Sequence, residues 1–262
     1  MEYLDSAKEA SILAGDALMG FFGTKLAAER KKDATPVTEA DLASNKIILD
    51  YLSKKNPSHH FLSEEGVEGA SLFPGINWVI DPLDGTSNFM HGLPYFCVSI
   101  ACVEVTEGKE PEIIAGVVYD PVSKDMYTAK KGGGAFKNGE KLTVSQTQEL
   151  GKAYIACGYH GDDMESGYGK AYLEVSKNVE SCRRLGAAAL DLAKTAEGIF
   201  DFFFDPALRA WDIAAGALLL REAGGVALNF PGQGPKNKLT ILDRGIIGGS
   251  EALVNRAQAF FE

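Results

Sequence analysis

Asp81-Pro82-Leu83-Asp84-Gly85-Thr86, directly after the apolar run Ile76-Asn77-Trp78-Val79-Ile80, restricts this chain more than any other stretch. A short apolar run bounded by turn residues reads as a buried strand. Two carboxylates three positions apart at its exit converge easily, with Pro82 and Gly85 fixing a turn between them and the Thr86 hydroxyl arriving in the same place. Glu64 and Glu65 follow a second strand-like run, Phe61-Leu62-Ser63, and Trp211-Asp212 opens a helix far downstream. Acidic groups at several element ends, most without an adjacent basic residue, suggest bound Mg²⁺, because hard divalent cations take carboxylate and carbonyl oxygens.

Composition narrows the remaining classes. The 262 residues suffice for one large domain or two subdomains with substantial cores. A net charge of −10 argues against general nucleic-acid binding, which needs a basic face. An acidic protein handling an anionic substrate needs cations to reverse the local sign. No stretch approaches the roughly 18 apolar residues of a membrane span, and the N-terminus Met1-Glu2-Tyr3-Leu4-Asp5 lacks the basic and apolar regions of a signal peptide. Cys97, Cys102, Cys157 and Cys182 show no CxxC spacing and read as reduced cysteines of a cytoplasmic protein.

Along the chain, apolar groups at Leu4, Ala7, Ala10, Ala14, Ala17, Leu18 and Phe21 predict a helix over 3–22. Residues 25–37 read as a loop. Thr38-Glu39-Ala40-Asp41 resembles a capping box with Asp41 in place of Glu, opening a helix to about Lys54. Strands are expected over 59–63, 76–80, 95–105, 112–119, 125–129 and 141–145, with tight turns at 132–134 and 137–139. Beyond residue 150 the expected elements are an apolar run at 153–157, helices at 166–178, 187–196, 211–223 and 251–260, and strands at 199–204, 226–229 and 245–249. The chain thus divides into two closely packed mixed α/β halves, 1–148 with most of the acidic candidates and 149–262 with Asp212.

Two cations about 4 Å apart can bridge a phosphoryl oxygen and stabilise both the entering and the leaving oxygen. Asp81, at the strand end, suits a shared ligand; the Leu83 carbonyl lies between the two Asp residues; Glu64 could serve one cation, and Asp84 with Asp212 the other. Thr86 could orient a water nucleophile and pass its proton towards Asp41, and the Gly85 and Thr86 amides could receive phosphate oxygens if a helix starts there. No serine nucleophile elbow, HExxH or Cys/His pair competes for the chemistry. The same Asp residues are also compatible with ordinary turn-forming or N-cap roles.

Four strings carry a resemblance. Trp78-Val79-Ile80-Asp81-Pro82-Leu83-Asp84-Gly85-Thr86-Ser87-Asn88-Phe89 resembles the first signature of the inositol monophosphatase family. Trp211-Asp212-Ile213-Ala214-Ala215-Gly216, through Glu222-Ala223-Gly224-Gly225, resembles the second, and Val37-Thr38-Glu39-Ala40-Asp41 and Ser63-Glu64-Glu65-Gly66 resemble the two N-terminal motifs. The resemblance implies a five-layer α-β-α-β-α sandwich of the sugar-phosphatase type and Mg²⁺-dependent phosphomonoester hydrolysis with two or three ions. It also implies Li⁺ sensitivity, a homodimer, and a small phosphorylated polyol or sugar as substrate, inositol 1-phosphate first. Carried over, Glu64, Asp81, the Leu83 carbonyl, Asp84 and Asp212 are metal ligands. Thr86 and Asp41, with Glu64, activate water. Asp84, Gly85, Thr86, Gly186, Ala188 and Asp205 contact substrate, and Arg209, a feature of this chain beside them, is a further substrate-contact candidate.

Two departures qualify the resemblance. Asn45 stands where the family usually carries Glu, and Asp205 is one methylene shorter than the usual Glu. Arg209 adds a positive charge that would suit a second phosphate, which keeps open a fructose-1,6-bisphosphatase or dual sugar phosphatase. Resemblance to bacterial members associated with transcription machinery keeps open an additional protein-binding role. Among neighbouring residues, Glu65 and His91 are candidates for the site, Thr38 reads as a helix cap, and Trp78 and Trp211 as packing that holds the acids rigid. His59 and His60 point to opposite faces of a strand, and Lys31 and Lys32 lie where the family carries a Lys near a third metal.

Overall fold

A computed structural model describes residues 2–261 apart from 25–27, 31–35, 67–70, 160–166, 234–237 and 243. The chain runs through α1 (Glu2–Phe21), β1 (Ala28–Arg30), β2 (Pro36–Thr38), α2 (Glu39–Lys55), β3 (His60–Ser63), β4 (Gly75–Asp84) and α3 (Thr86–Met90). A meander follows: β5 (Cys97–Val105), β6 (Glu112–Asp120), β7 (Asp125–Lys130), β8 (Gly134–Lys137) and β9 (Glu140–Lys141). The second half comprises β10 (Tyr154–Cys157), α4 (Gly167–Asn178), β11 (Ser181–Arg183), α5 (Ala188–Ala196), β12 (Phe202–Asp205), α6 (Ala210–Glu222), β13 (Val226–Asn229), β14 (Ile246–Gly249) and α7 (Glu251–Gln258).

Two sheets form the frame, one ordered β3-β4-β5-β6-β7-β8-β9 and the other β11-β10-β12-β14-β13. Their strands are apolar on both faces, so each sheet must be covered twice. On the first sheet, Trp78, Ile80, Val98, Ile100 and Cys102 pack on α1 and α2, while Val79, Cys97, Ala101 and Val103 face α5 and α6. On the second, Phe203 and Ala156 face α5 and α6, while Phe202, Phe204, Ile155 and Cys157 face α4 and α7. The period-two alternation of the strands thus builds the layers α1/α2, sheet, α5/α6, sheet, α4/α7, the five-layer α-β-α-β-α sandwich. Burying a Phe of β12 contributes about 2–3 kcal/mol, so this strand, with Phe203 on one face and Phe202 and Phe204 on the other, ties the second sheet to both of its helical layers. Among the described residues, no helix is long and apolar enough to cross a membrane.

Local differences from the sequence reading have physical causes. The strand expected at 76–80 continues to Asp84, because the pairing of β4 with β5 resumes after a bulge between Asp81, opposite Ser99, and Asp84, opposite Cys97. Pro82 is tolerated there because a bulge releases the ladder donor it lacks. Part of the 25–37 loop pairs as the ribbon β1–β2, with Ala28 opposite Thr38. The strand expected at 141–145 is only Glu140–Lys141; the Leu142 and Val144 amides instead bond the carbonyls of Ala135 and Ala223, tying the connection to the end of α6.

Candidate metal centre

The bulge in β4 is where the acidic residues meet. Ser44 on α2 donates to the Pro82 carbonyl at 2.7 Å, and the Leu83 amide donates to Asp81 Oδ1 at 3.0 Å, so the bulge is held from both sides. Asp81 is fully buried. Gly85 then turns the chain into α3 with φ +92°; a Cβ there would sit 3.0 Å from the Tyr95 carbonyl and 3.1 Å from Ala187 Cβ, so position 85 needs both the left-handed conformation and the missing side chain.

Asp84 reaches across the molecule. Its carboxylate accepts from the Ala188, Ala189 and Leu190 amides at 3.1, 2.7 and 3.4 Å, capping α5, whose own N-cap residue Ala187 has no side chain to do so. Asp212 sits at the third position of α6, where it accepts from the Arg209 amide at 2.7 Å. This is half of a capping box; the guanidinium of Arg209 has no acceptor with which to return the bond. The turn-and-cap reading of these acids therefore holds, and the same bonds leave carboxylate oxygens facing one another. Capping fixes the carboxylates where one oxygen of each of Asp81, Asp84 and Asp212 lies within 4.8 Å of the others.

Glu64 follows β3, its amide bonded to the Ile80 carbonyl at 3.1 Å, and its half-buried carboxyl hydrogen-bonds with Asp81. Burial holds the Asp81 and Asp212 carboxyls well above the ordinary carboxylate range; the charges of Glu64, Asp84 and Asp212 add to this at Asp81, and those of Asp84 and Glu64 at Asp212. Burial also pushes Asp84 up to about 6, against the pull of the α5 amides and the Cys97 thiol. Acids clustered this closely in a buried pocket either hold protons or share cations. The donor set of Asp81, Asp84 and Asp212 is all oxygen and fits a hard divalent cation.

Thr86 joins this cluster to a second one. Its Oγ1 lies 3.0 Å from Asp41 Oδ1 and 3.1 Å from the Leu83 carbonyl, with one proton to give to the two. The other oxygen of Asp41 accepts from the Thr38 amide at 2.8 Å and the Thr38 hydroxyl at 2.5 Å, the expected capping box. Burial raises the Asp41 carboxyl, and the bonds from Thr38 and Thr86 partly offset this. Asn45 accepts from Ser63 Oγ at 2.7 Å and donates to the Glu65 carbonyl at 3.4 Å, so its neutral amide supports the segment that carries Glu64.

The remaining candidates divide. Gly186 and Ala188 lie at the start of α5 beside Asp84, and Asn88 ties this wall to the motif by donating to the Leu185 and Tyr95 carbonyls at 2.8 Å each. Asp205, buried at the end of β12, accepts from the Ala207 amide at 2.8 Å and lies close enough for its charge to raise Asp212. Arg209 is exposed, and its guanidinium makes no hydrogen bond or ion pair with the described residues. His91 is exposed, with Nδ1 2.8 Å from the Ser87 carbonyl. His59 accepts from Trp78 Nε1 at 3.1 Å, a packing role for both. Lys31 and Lys32 lie outside the described residues. The sequence reading did not single out Ser44, or the bond of half-buried Tyr95 to buried Asp191 at 2.5 Å, which pins the segment after α3 to α5.

A family model described as the inositol monophosphatase family matches residues 1–260. The chain belongs to this family. It is 40% identical over 230 residues to an inositol-1-monophosphatase of Rhizobium meliloti, an alignment covering 86% of this chain and 85% of the relative. It is 39% identical over 235 residues to the Nus factor SuhB of Escherichia coli, covering 87% and 85%. The crystal structure of the extragenic suppressor protein suhB of Bartonella henselae superposes with a TM-score of 0.90 at 36% identity, covering 100% of this chain and 99% of that one. Membership of the inositol monophosphatase family makes this chain a phosphatase by class, and the acidic triad supplies the kind of site on which a metal-using family depends.

Proposed function

We propose that this chain is a Mg²⁺-dependent phosphomonoester hydrolase whose first substrate is inositol 1-phosphate or a similar polyol monophosphate. The observation that carries the reading is the convergence of Asp81, Asp84 and Asp212 within 4.8 Å, beside the Thr86–Asp41 pair. In this reading Glu64, Asp81, the Leu83 carbonyl, Asp84 and Asp212 hold two or three Mg²⁺. When bound, the ions neutralise the carboxylates and stabilise charge on the phosphoryl oxygens. Thr86 Oγ1 gives its proton to Asp41, which leaves a hydroxyl lone pair to accept a proton from the attacking water. Buried Asp41, with its raised proton affinity, is the base to which that proton passes. The Gly85 and Thr86 amides orient the phosphate, and Gly186, Ala188 and Asp205 line the side where the polyol hydroxyls rest.

Arg209 supports a second reading, a sugar bisphosphatase or dual enzyme, since an exposed guanidinium with no partner among the described residues, three residues before Asp212, suits a second phosphate. A homodimer, Li⁺ inhibition and a cytoplasmic setting accompany the family reading. The relatives named Nus factor SuhB support a further, non-catalytic role with a protein partner. Phosphate release from a panel of phosphomonoesters tests the main reading. Inositol 1-phosphate should be cleaved with Mg²⁺ and spared after EDTA. Cleavage that is undiminished in EDTA would overturn the mechanism, and cleavage of only unrelated esters would overturn the substrate assignment.

A further inference from the structure

Cys157 and Cys182 lie on the second sheet, outside the acidic cluster. Cys157 ends β10 and is 1% exposed; Cys182 lies at the middle of β11, the edge strand of the second sheet, and is half-buried. The parallel register pairs Ile155 with Cys182, so Cys157, two residues further on, projects from the same face, and the two sulfurs lie 3.3 Å apart. A disulfide needs about 2.05 Å between sulfurs, so closure asks for a shift of about 1.3 Å. That shift is divided between Cys182, on a three-residue strand at the edge of the sheet, and Cys157, the last residue of β10.

The two thiols are also unlike. Its hydrogen bond with Cys157 lowers the Cys182 thiol from its usual range, with help from the charge of Arg183, against burial. The bond to Cys182 and burial hold Cys157 far above that range. Cys182, half-buried on the edge strand, is the sulfur a peroxide can reach, whereas Cys157 is 1% exposed; this makes Cys182 the attacking sulfur and Cys157 the resolving one, in line with the direction of the two shifts.

Cys157 is coupled to the proposed polyol side of the pocket through one residue. A Cβ at Gly158 would lie 1.9 Å from Asp205 Oδ2, so the carboxylate rests directly on the Gly158 backbone, and the Gly158 amide bonds the Phe204 carbonyl at 2.9 Å. A displacement at Cys157 is thereby passed to Asp205.

We propose that Cys157 and Cys182 form a reversible thiol–disulfide site, oxidised by hydroperoxides, whose closure displaces the Asp205 carboxylate. The Cys182 thiolate attacks one peroxide oxygen, the O–O bond breaks, and the other oxygen leaves as hydroxide or alkoxide and takes up a proton. The resulting sulfenic acid is attacked by the Cys157 sulfur; an S–S bond forms, and the sulfenyl oxygen leaves as water with the Cys157 proton. Two thiols are oxidised by two electrons and one hydroperoxide is reduced. A dithiol reagent reverses the change by thiol–disulfide exchange.

The test uses the full chain, reduced, freed of reductant and exposed to hydrogen peroxide, then alkylated and digested. The expected result is a peptide pair bridged between Cys157 and Cys182 that separates with dithiothreitol, with no such bridge to Cys97 or Cys102. In Cys157→Ser, Cys182 should instead be trapped as a sulfenic acid by dimedone. Hydrogen exchange at the Ala207 amide, which Asp205 accepts, should quicken by roughly threefold or more in the bridged protein and recover on reduction. Recovery of both cysteines as free thiols, or over-oxidation of Cys182 without a bridge, overturns the site. A mapped bridge with unchanged exchange at Ala207 overturns the coupling to Asp205. Neither readout requires phosphatase activity, so failure here is separable from failure of the proposed reaction.

Discussion

Replacing Asp84 by Asn measures what the clustered carboxylates cost the chain when no cation is present. Asp84 is 7% exposed, and burial raises its carboxyl from 3.8 to about 6. A difference of that size between folded and unfolded states corresponds to ~3 kcal/mol. The sign follows from the direction. Below the unfolded value both states are protonated and nothing is lost; the cost grows as the pH rises from about 4 to about 6 and is complete above that. Asn matches Asp in volume, cannot ionise, and keeps one acceptor oxygen for the first amides of α5, where Asn caps about as well as Asp. In EDTA the variant should therefore exceed wild type by ~1 kcal/mol near pH 4.5 and by ~3 kcal/mol near pH 8. For a chain of this length the latter is roughly 6–12 °C in Tm. Urea unfolding at both pH values reads the difference. Mg²⁺ should then reverse the order at pH 8, because it stabilises the wild-type site more than a site lacking one charge. Parallel pH profiles for the two proteins in EDTA would refute the argument that burial of this carboxylate is costly.

Three further outcomes are expected. Asp81→Asn should lower kcat by roughly 10³-fold or more while the metal-free protein stays folded, measured by phosphate release and circular dichroism; a loss under tenfold would remove Asp81 from the shared-ligand role. Burial lowers the His59 imidazole below its usual 6.5, and Trp78 donates to its Nδ1, so stability is full above 6.5 and falls as the pH drops below it. In a Trp211→Phe background, Trp78 fluorescence should report that loss, and a flat signal between about pH 7 and 5 would exclude it. Arg209→Ala should lower kcat/KM for fructose 1,6-bisphosphate more than for inositol 1-phosphate, and equal responses would leave the bisphosphatase reading without support.

What was legible in the sequence follows the range of the interactions. The Asp41 capping box is a four-residue device, and it appears as expected at the head of α2. The sandwich was legible through the family motifs, and the alternation within strands such as β5 and β12 explains physically why two sheets need three helical layers. The extension of β4 through Pro82 to Asp84 was not legible, because Pro and Gly read as strand breakers unless the partner strand is known to bulge around them. The capping of α5 by Asp84 joins residues 104 apart, and no local pattern announces it. The edge strand β11 is three residues long and carries polar and charged groups, too short for any periodicity to show. Arg209 shows the opposite limit: sequence proximity to Asp212 brings its amide to the carboxylate but leaves its guanidinium exposed.

The division into 1–148 and 149–262 raises a last expectation. One continuous cluster contains Val79, Ala101 and Val118 from the first sheet together with Leu190, Ile213 and Leu219 from α5 and α6 and Phe203 from the second sheet. The inner face of the first sheet is therefore covered by helices that belong to the second half. Removing them would expose that face and leave Asp84 without the α5 amides it caps. A fragment ending at 148 would carry a sheet apolar on both faces but covered on one, which water does not tolerate. We propose that the two halves are structural subdivisions of a single cooperative unit. Calorimetry of the intact chain should then give one transition whose van't Hoff and calorimetric enthalpies agree, and residues 1–148 expressed alone should bind a hydrophobic dye and lack protected amides in β4 and β5. Two resolved transitions, or a soluble 1–148 fragment with native exchange protection in those strands, would show that the halves fold independently and that α5 and α6 dock onto an already stable sheet.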